Sequence, residues 1–598
     1  MVFMTTEKAN LESHALKKQS APIRNVCLCG CALLAIFAGL YWMSSPYEYG
    51  SKLDRPNLIV VGLLGAASVV SFYALINAFK VPHPQRKTLL LLIVSFAIST
   101  RLIAIFTCPI LEVDYYRYLW DGKVVAEGIS PYLYSPERVI EGDSGDTGTL
   151  AELSELSLRS ESNRTILSRI HFEDHTTIYP PVSQAVFAAV MKWLPDTVSV
   201  ETHIVVMKSA LVLFDLGTML LVFFLLSTFG LNVGWLIVIA WNPLVIKEIA
   251  NGGHLDSIAT FFMVLSVVLL ARWRLSRSAK TEICFLIGSG IALALGFGAK
   301  LFPVILLPAL MTFVGRKSWS QAILFSLLFA VVSVVVLWPM IHPIVGEYWP
   351  GESESALVEN ESPDQSDPFP SDTNDDEPTE TVAKHGAVGF FSKWRINDSI
   401  FSAVYLNFKD SNRKIDRTPW FVFTSTTFRK QFDDWCRENS IGGQNPAFFV
   451  AKVSTLGVFL CFYGWQLIAL YRRRFDTGDA DRQDCLVLLR RSVSILVVFL
   501  FLQPTVNPWY LVWIVPLACF ANNRGWLLVS GLLLTYYSRF WFRSLAGSFP
   551  FLGRNYSGVG IYDHIVVWVV MLIVLVTLAA FSRSDLLGRE HSAGGDVK

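Results

Sequence analysis

Apolar runs of membrane-spanning length recur from one end of this chain to the other, and they restrict the fold before any motif is read. An α-helix rises about 1.5 Å per residue, so roughly 20 apolar residues cross the hydrocarbon core of a bilayer. Runs near 26–43, 58–79, 88–107, 204–228, 234–250, 256–271, 282–298, 301–314, 321–340, 448–471, 492–503, 509–521, 526–541 and 564–581 meet or approach that length. The 598 residues are 53% hydrophobic and 17% charged, against about 25% charged in soluble domains. The expected fold class is an all-α polytopic membrane protein with about 12–14 transmembrane helices and two large extracytoplasmic loops.

The formal net charge is +1, with no Gly-rich phosphate loop and no basic arm, so no nucleic-acid partner is expected. The nine cysteines include no CxxC pair and lie mostly in or beside apolar runs, as small packing residues do. Lys8, Lys17, Lys18 and Arg24 precede the apolar run Val26–Met43. That run is too long for a cleaved leader and reads as a first span.

Basic residues fall in alternate connections: the N-terminus, Lys80/Arg86/Lys87, Arg272/Arg274/Arg277/Lys280, Arg316/Lys317, Arg472–Arg474 with Arg490/Arg491, Arg524, and the tail after Phe581. With fourteen spans all of these share one face, the cytoplasmic one by the positive-inside rule. The expected organisation is a cytoplasmic tail (1–25), three spans (26–107), an extracytoplasmic catalytic loop with interfacial helices (108–203), spans four to nine (204–340), a second extracytoplasmic loop (341–447), C-terminal spans (448–581) and a cytoplasmic tail (582–598). Val182–Leu194 is too short to span and is read as interfacial or re-entrant. Gly351–Lys384, rich in Glu, Asp, Ser and Pro, lacks the apolar surface to fold and is read as a disordered insertion.

Ionisable residues at membrane depth are costly and mark function, and here they converge on the outer face. Glu112, Asp114, Arg117 and Asp121 lie in LEVDYYRYLWDG, directly after the third span. If that stretch is helical, 114, 117 and 121 share a face. In WNPLVIKEIANGGHLDS, two spans meet at Gly252-Gly253 with Lys247, Glu248, His254 and Asp256 around the turn. Lys300, in GAKLFP, sits between two apolar runs and needs an anionic partner, for which a lipid phosphate would serve. SKWRINDSIF holds Arg395, Asn397 and Asp398, and QPTVNPWYLVW holds Asn507, Trp509 and Tyr510. Aromatic rings and carboxylates suit sugar faces and hydroxyls, and basic groups suit phosphate.

These motifs, in this order, resemble the GT-C superfamily of integral membrane glycosyltransferases, and within it the bacterial polyprenyl-phosphate-mannose-dependent mannosyltransferases. The resemblance covers about 88–541 and rests on ExD at Glu112–Asp114 followed by YRYLWDG and GISPY (Gly128–Tyr132), YPP (Tyr179–Pro181), WNP…GHLD (Trp241–Asp256), KLFP (Lys300–Pro303), W-x-x-NDS-x-F (Trp394–Phe401) and NPWYL (Asn507–Leu511). It implies a GT-C-like fold and an inverting hexosyl transfer, mannose favoured, from a polyprenyl-phosphate sugar to a lipid-linked or glycan acceptor. The expected setting is the outer face of a bacterial plasma membrane, in contact with membrane lipids. Asp114 is the expected general base, with Glu112 as the second catalytic carboxylate. Arg117, Asp121, Tyr179, His254, Asp256, Lys300, Arg395, Asn397, Asp398, Asn507, Trp509 and Tyr510 are expected to bind substrate. The acidic motif is ExD rather than DxD, so no metal ligand is assigned, and a divalent cation, Mg or Mn, is left open. The competing reading is a polytopic lipid or sugar transporter or flippase, which predicts charges spread along a path through the membrane rather than gathered at one face.

Overall fold

The computed structural model describes residues 2–142, 148–348, 395–410, 418–443, 445–473 and 479–593; the acidic segment 351–384 lies outside them. Among the described residues eleven helices are long and apolar enough to cross a membrane, and the strands are one short hairpin, Phe549–Phe551 with Arg554–Tyr556. The chain is an all-α polytopic membrane protein. The three other runs read as spans are short, interrupted helices: Phe302–Leu306 with Leu307–Gly315, Pro508–Trp513 with Val515–Ala518, and Trp526–Leu533 with Leu534–Ser538. In the first two, Pro303, Pro308, Pro508 and Pro516 explain the interruption, because proline removes a backbone donor and clashes with the preceding turn. The run at 492–503 is the end of a longer helix, Ala480–Leu502, which carries Arg490 and Arg491 inside it rather than in a connection.

The described chain divides into two units, one of residues 1–115, 201–333 and 395–598, the other of 116–200 and 334–394. In the first unit the Val233–Asn251 span is the most enclosed, with 94% of its apolar window buried against 11% for Gly558–Ser582. It is also broken. A 3-10 turn (Val233–Leu236) leads to Ile237–Ala240, the chain breaks at Trp241-Asn242, and Pro243–Val245 runs into a π-helix, Ile246–Asn251. A break at this depth frees backbone groups that lipid cannot satisfy. Arg101 donates to the carbonyls of Ala240 (2.7 Å) and Ile239 (3.4 Å), and Ser71 to that of Trp241 (2.8 Å). The Asn242 side chain accepts from the amides of Leu244 and Val245 and donates to Ser530 Oγ. Arg101 is in turn neutralised by Asp215 at 2.5 Å, both side chains buried.

The next two helices, Asp256–Leu275 and Ala279–Ala299, form a hairpin whose contact is made of small residues. Ser266 and Ser289 share a hydrogen bond of 2.9 Å, and a methyl on Gly296 would lie 3.3 Å from the Ala259 carbonyl. Without a hydrophobic force between helices in lipid, such close backbone approach is what holds them. The hairpin returns the chain so that Asp256, at the start of the first helix, meets Lys300, just past the end of the second.

The second unit holds short helices Pro136–Glu141, Thr149–Leu158, Glu161–Leu167 and Pro181–Met191. Ser135 and Ser160 cap two of them through their hydroxyls. The ring of Tyr118 stacks on Phe187 at 4.7 Å and meets Tyr179 edge-on at 5.0 Å.

Removing one partner of a buried ion pair costs about 3–5 kcal/mol. Arg101→Met is expected to cost more than Asp215→Asn, because it also strands the Ile239 and Ala240 carbonyls. Thermal unfolding in detergent checks the ranking, and an equal or smaller loss for Arg101→Met contradicts it.

Candidate active site

The third span, Arg86–Phe106, is followed by five residues and then by the acidic segment at Glu112. Asn251, the last residue of the π-helix, grips that exit. Its amide nitrogen donates to the carbonyls of Thr107 (3.3 Å) and Cys108 (2.9 Å), and its oxygen accepts from the Ile110 amide at 3.0 Å. Leu111 then takes a left-handed conformation (φ 53°), which is costly for a branched side chain. One Glu112 oxygen accepts from the amides of Val113 and Asp114, at 2.9 Å each, which folds the acidic segment around its own first carboxylate.

The other Glu112 oxygen lies 2.8 Å from His254 Nε2, and Glu248 lies 3.3 Å from the same nitrogen. Burial pushes the Glu112 carboxyl up, but the His254 charge and hydrogen bond, helped by Lys247, outweigh it and hold the carboxyl low. Burial pushes the His254 imidazole down, and Glu112 with Glu248 outweighs that and holds it high. The pair is ionised, an imidazolium between two carboxylates. Glu248 also accepts from Tyr537 Oη at 2.9 and 3.0 Å and pairs with Lys247 at 3.2 Å, while the Lys247 ammonium lies 3.7 Å from the centre of the Tyr537 ring. The π-helix makes this geometry: the extra residue in its turn sets the Gly252 amide on the Lys247 carbonyl and the His254 amide on that of Glu248. Gly253 completes the turn at φ 73°, where a side chain would be strained.

Asp256 receives both carboxylate contacts of Lys300 at 2.8 Å, and Trp513 Nε1 donates to it at 2.5 Å. Lys300 therefore has a protein anion as partner, where the sequence left a lipid phosphate to supply one. Its ammonium also lies over the rings of Tyr510 (4.9 Å) and Trp513 (5.6 Å). Phe302 stacks on Trp513 at 3.9 Å, and Trp509 stacks on His254 at 4.2 Å. An aromatic wall, Trp509–Tyr510–Trp513, thus joins the His254 cluster to the Asp256–Lys300 pair.

Residues 395–398 border this wall through a parallel bridge of Ile396 with Thr505. Arg395 pairs with Asp398 at 3.1 Å, bonds Ser402 and lies over the Tyr405 ring at 4.1 Å. Burial pushes the Asp398 carboxyl up, against the Arg395 charge. Asn397, also left-handed, donates to the Val506 carbonyl and accepts from Tyr562 Oη at 3.0 Å. Asn507 is buried, and its carbonyl receives the Tyr510 amide.

Arg117, Asp121 and Tyr179 belong to the second unit and are held there. Arg117 donates to the carbonyls of Phe172 (2.7 Å) and His175 (3.1 Å). Burial pushes the Asp121 carboxyl up, against Arg117 and the hydrogen bonds of Thr177 and Gln184. Tyr179 accepts from Tyr132 Oη at 2.7 Å. The helix there starts at Tyr115, so Asp114 precedes it and does not share its face with 117 and 121.

Within the first unit, then, the structure joins Glu112, Asp114, His254, Asp256, Lys300, Trp509 and Tyr510. It adds Asn251, Trp513 and Tyr537, and it brings in Lys247 and Glu248, which the sequence placed at the turn without a binding role. Lys247 and Glu248 carried a signal, being ionisable residues at the end of an apolar run; Tyr537, 289 residues from Glu248, carried none. Glu112, Asp114 and His254 could offer a metal three ligand atoms within 4.8 Å of one another. In this arrangement Glu112 and His254 Nε2 contact one another at 2.8 Å, so a metal held there would take the place of that contact.

Residues 51–316 match the family described as alpha-(1->6)-mannopyranosyltransferase, N-terminal domain. That match supports a GT-C mannosyltransferase-like membrane protein. Glu112, Asp114, Glu248, His254, Asp256 and Lys300 all fall inside the matched residues, and the match supports a mannosyl transfer activity. Comparison with curated proteins and with solved structures finds no match.

Tyr537→Phe is expected to destabilise the protein by about 1–3 kcal/mol, because it removes a buried hydroxyl on which Glu248 and Lys247 both depend. Denaturation followed by tryptophan emission measures it, and a loss below about 0.5 kcal/mol, the scale of an ordinary surface change, contradicts the network.

Proposed function

We propose that the chain is an inverting mannosyltransferase that uses a polyprenyl-phosphate mannose donor on the outer face of the membrane and a glycolipid or glycan acceptor. The observation that carries this reading is the pairing, inside the mannosyltransferase-matched residues, of an acidic segment (Glu112–Asp114) with a cationic one (His254, Lys300) under an aromatic wall. Acid for the attacking hydroxyl, cation for the leaving phosphate and rings for the sugar face are the three elements the reaction needs.

Asp114 acts as general base. It takes the proton of the acceptor hydroxyl as that oxygen bonds to the anomeric carbon. The bond from that carbon to the phosphate oxygen breaks, and its electron pair leaves with the lipid phosphate. Glu112 has both oxygens engaged by backbone amides and His254, so its part is to hold the acidic segment and the imidazolium rather than to take the proton. Lys300, fixed by Asp256, stabilises the charge that grows on phosphate. Trp509, Tyr510, Asn397 and Asn507 orient the sugar, and Arg395 with Asp398 borders the phosphate side. Arg117 and Asp121, both buried, shape their own unit together with the half-buried Tyr179.

The matched family's description names an α-(1→6) linkage. Inversion to an α product requires a β-linked donor. The outward orientation rests on the basic connections Lys80/Arg86/Lys87 and Arg272/Arg274/Arg277/Lys280, which precede the interrupted helices and share a face whether or not those helices cross, and a bacterial plasma membrane is the setting of this reading.

Purified protein given labelled polyprenyl-phosphate mannose is expected to transfer label to a lipid-linked glycan, and none from a nucleotide-linked mannose. Transfer from the nucleotide sugar alone contradicts the donor assignment. Lys300→Met is expected to lower kcat about 10²- to 10³-fold, as loss of a group that stabilises developing charge does. An unchanged rate and KM removes Lys300 from the site.

A further inference from the structure

Lys208 lies within an apolar span, Val200–Thr228, outside every motif of the site, and its side chain is 1% exposed. A buried ammonium in a membrane span ordinarily faces a carboxylate. This one donates to two main-chain oxygens, those of Ala104 (3.1 Å) and Thr107 (2.8 Å). These are carbonyls at the C-terminal end of the third span, where a helix leaves its last acceptors without intrahelical donors and the dipole favours a cation. The stem of the same side chain runs along the other half of the site: a methyl on Gly253 would lie 3.2 Å from Lys208 Cγ.

Lys208 thus touches both strands of the cluster, the exit at 104–107 that leads to Glu112, and the turn at 253 that leads to His254. Asn251 grips the same exit from the π-helix, and the two side chains share one acceptor, the Thr107 carbonyl. We propose that Lys208 is a positioning residue that, with Asn251, fixes where the Glu112–Asp114 segment stands relative to His254. The lysine contributes hydrogen bonds and a close-packed stem and meets no substrate.

The consequence for activity rests on the transfer reaction proposed above; the consequence for structure does not. With Lys208→Met, the ammonium is lost and the stem is kept. Hydrogen exchange of full-length protein in detergent is expected to rise at least tenfold for peptides covering 107–115 and 251–255, with exchange in Ala279–Ala299 unchanged. Lys208→Gln, which keeps one donor, is expected to restore part of the protection. In transfer assays Lys208→Met is expected to lower kcat about 10²-fold, the cost of a misplacement near 1 Å, with donor KM within about threefold. Asn251→Ala is expected to act similarly, and the double variant to lose less than the product of the two.

Unchanged exchange at 107–115 in Lys208→Met overturns the proposal, whatever the enzyme does. Exchange that rises equally in every span also overturns it, because it shows a merely structural role. If wild type transfers no mannose while the local exchange change is seen, the functional reading fails and the positioning role stands.

Discussion

Everything in the site depends on how one buried span resolves a break in its backbone. Val233–Asn251 is enclosed on nearly every side, so a carbonyl or amide freed at Trp241-Asn242 finds neither water nor lipid able to bond it. Arg101, Ser71, Asn242 and Ser530 supply the missing partners. With the break satisfied, the chain beyond it winds as a π-helix, and the wider turn sets Glu248 and Asn251 where a regular helix would not. Glu248 fixes His254, and Asn251 fixes the exit to Glu112. The site is thus the far end of a repair made at membrane depth.

A second constraint is charge. Acids and bases enclosed together must neutralise one another or stay uncharged. Here they pair across distant segments: Glu112 and Glu248 with His254, Glu248 with Lys247, Asp256 with Lys300. The imidazolium and the Lys300 ammonium are cationic donors fixed in place by these carboxylates before any substrate arrives. That preorganisation suits a reaction whose leaving group gathers negative charge. Glu112 is held by the imidazolium, and in the proposed mechanism Asp114 is the group that takes the proton.

Much of this was legible in the sequence. Apolar run lengths gave the all-α membrane class, and eleven of the fourteen expected runs are long helices among the described residues. The others fail as continuous spans, two of them at prolines that run length alone discounts. Glu112, Asp114, His254, Asp256 and Lys300 stood out as charged residues bordering apolar runs. Their pairing did not: Lys300 looked alone because its partner is 44 residues away and is reached only when a small-residue hairpin closes. Tyr537 and Trp513 were invisible as partners, since an aromatic in an apolar run has an ordinary packing explanation. Lys208, Arg101 and Asp215 could have been found, because each is an ionisable residue inside an apolar helix; they lie outside the motifs that drew the eye.

The most direct test of the account is transfer of labelled mannose from polyprenyl-phosphate mannose by purified wild type and Asp114→Asn in one detergent, with unfolding temperature and donor binding measured beside it. The account predicts that the variant keeps its fold and its donor affinity and loses turnover by at least 10²-fold, the scale of a missing general base. A variant that turns over within about tenfold of wild type, with transfer intact, contradicts the assignment of Asp114 and moves the proton to another group of the cluster.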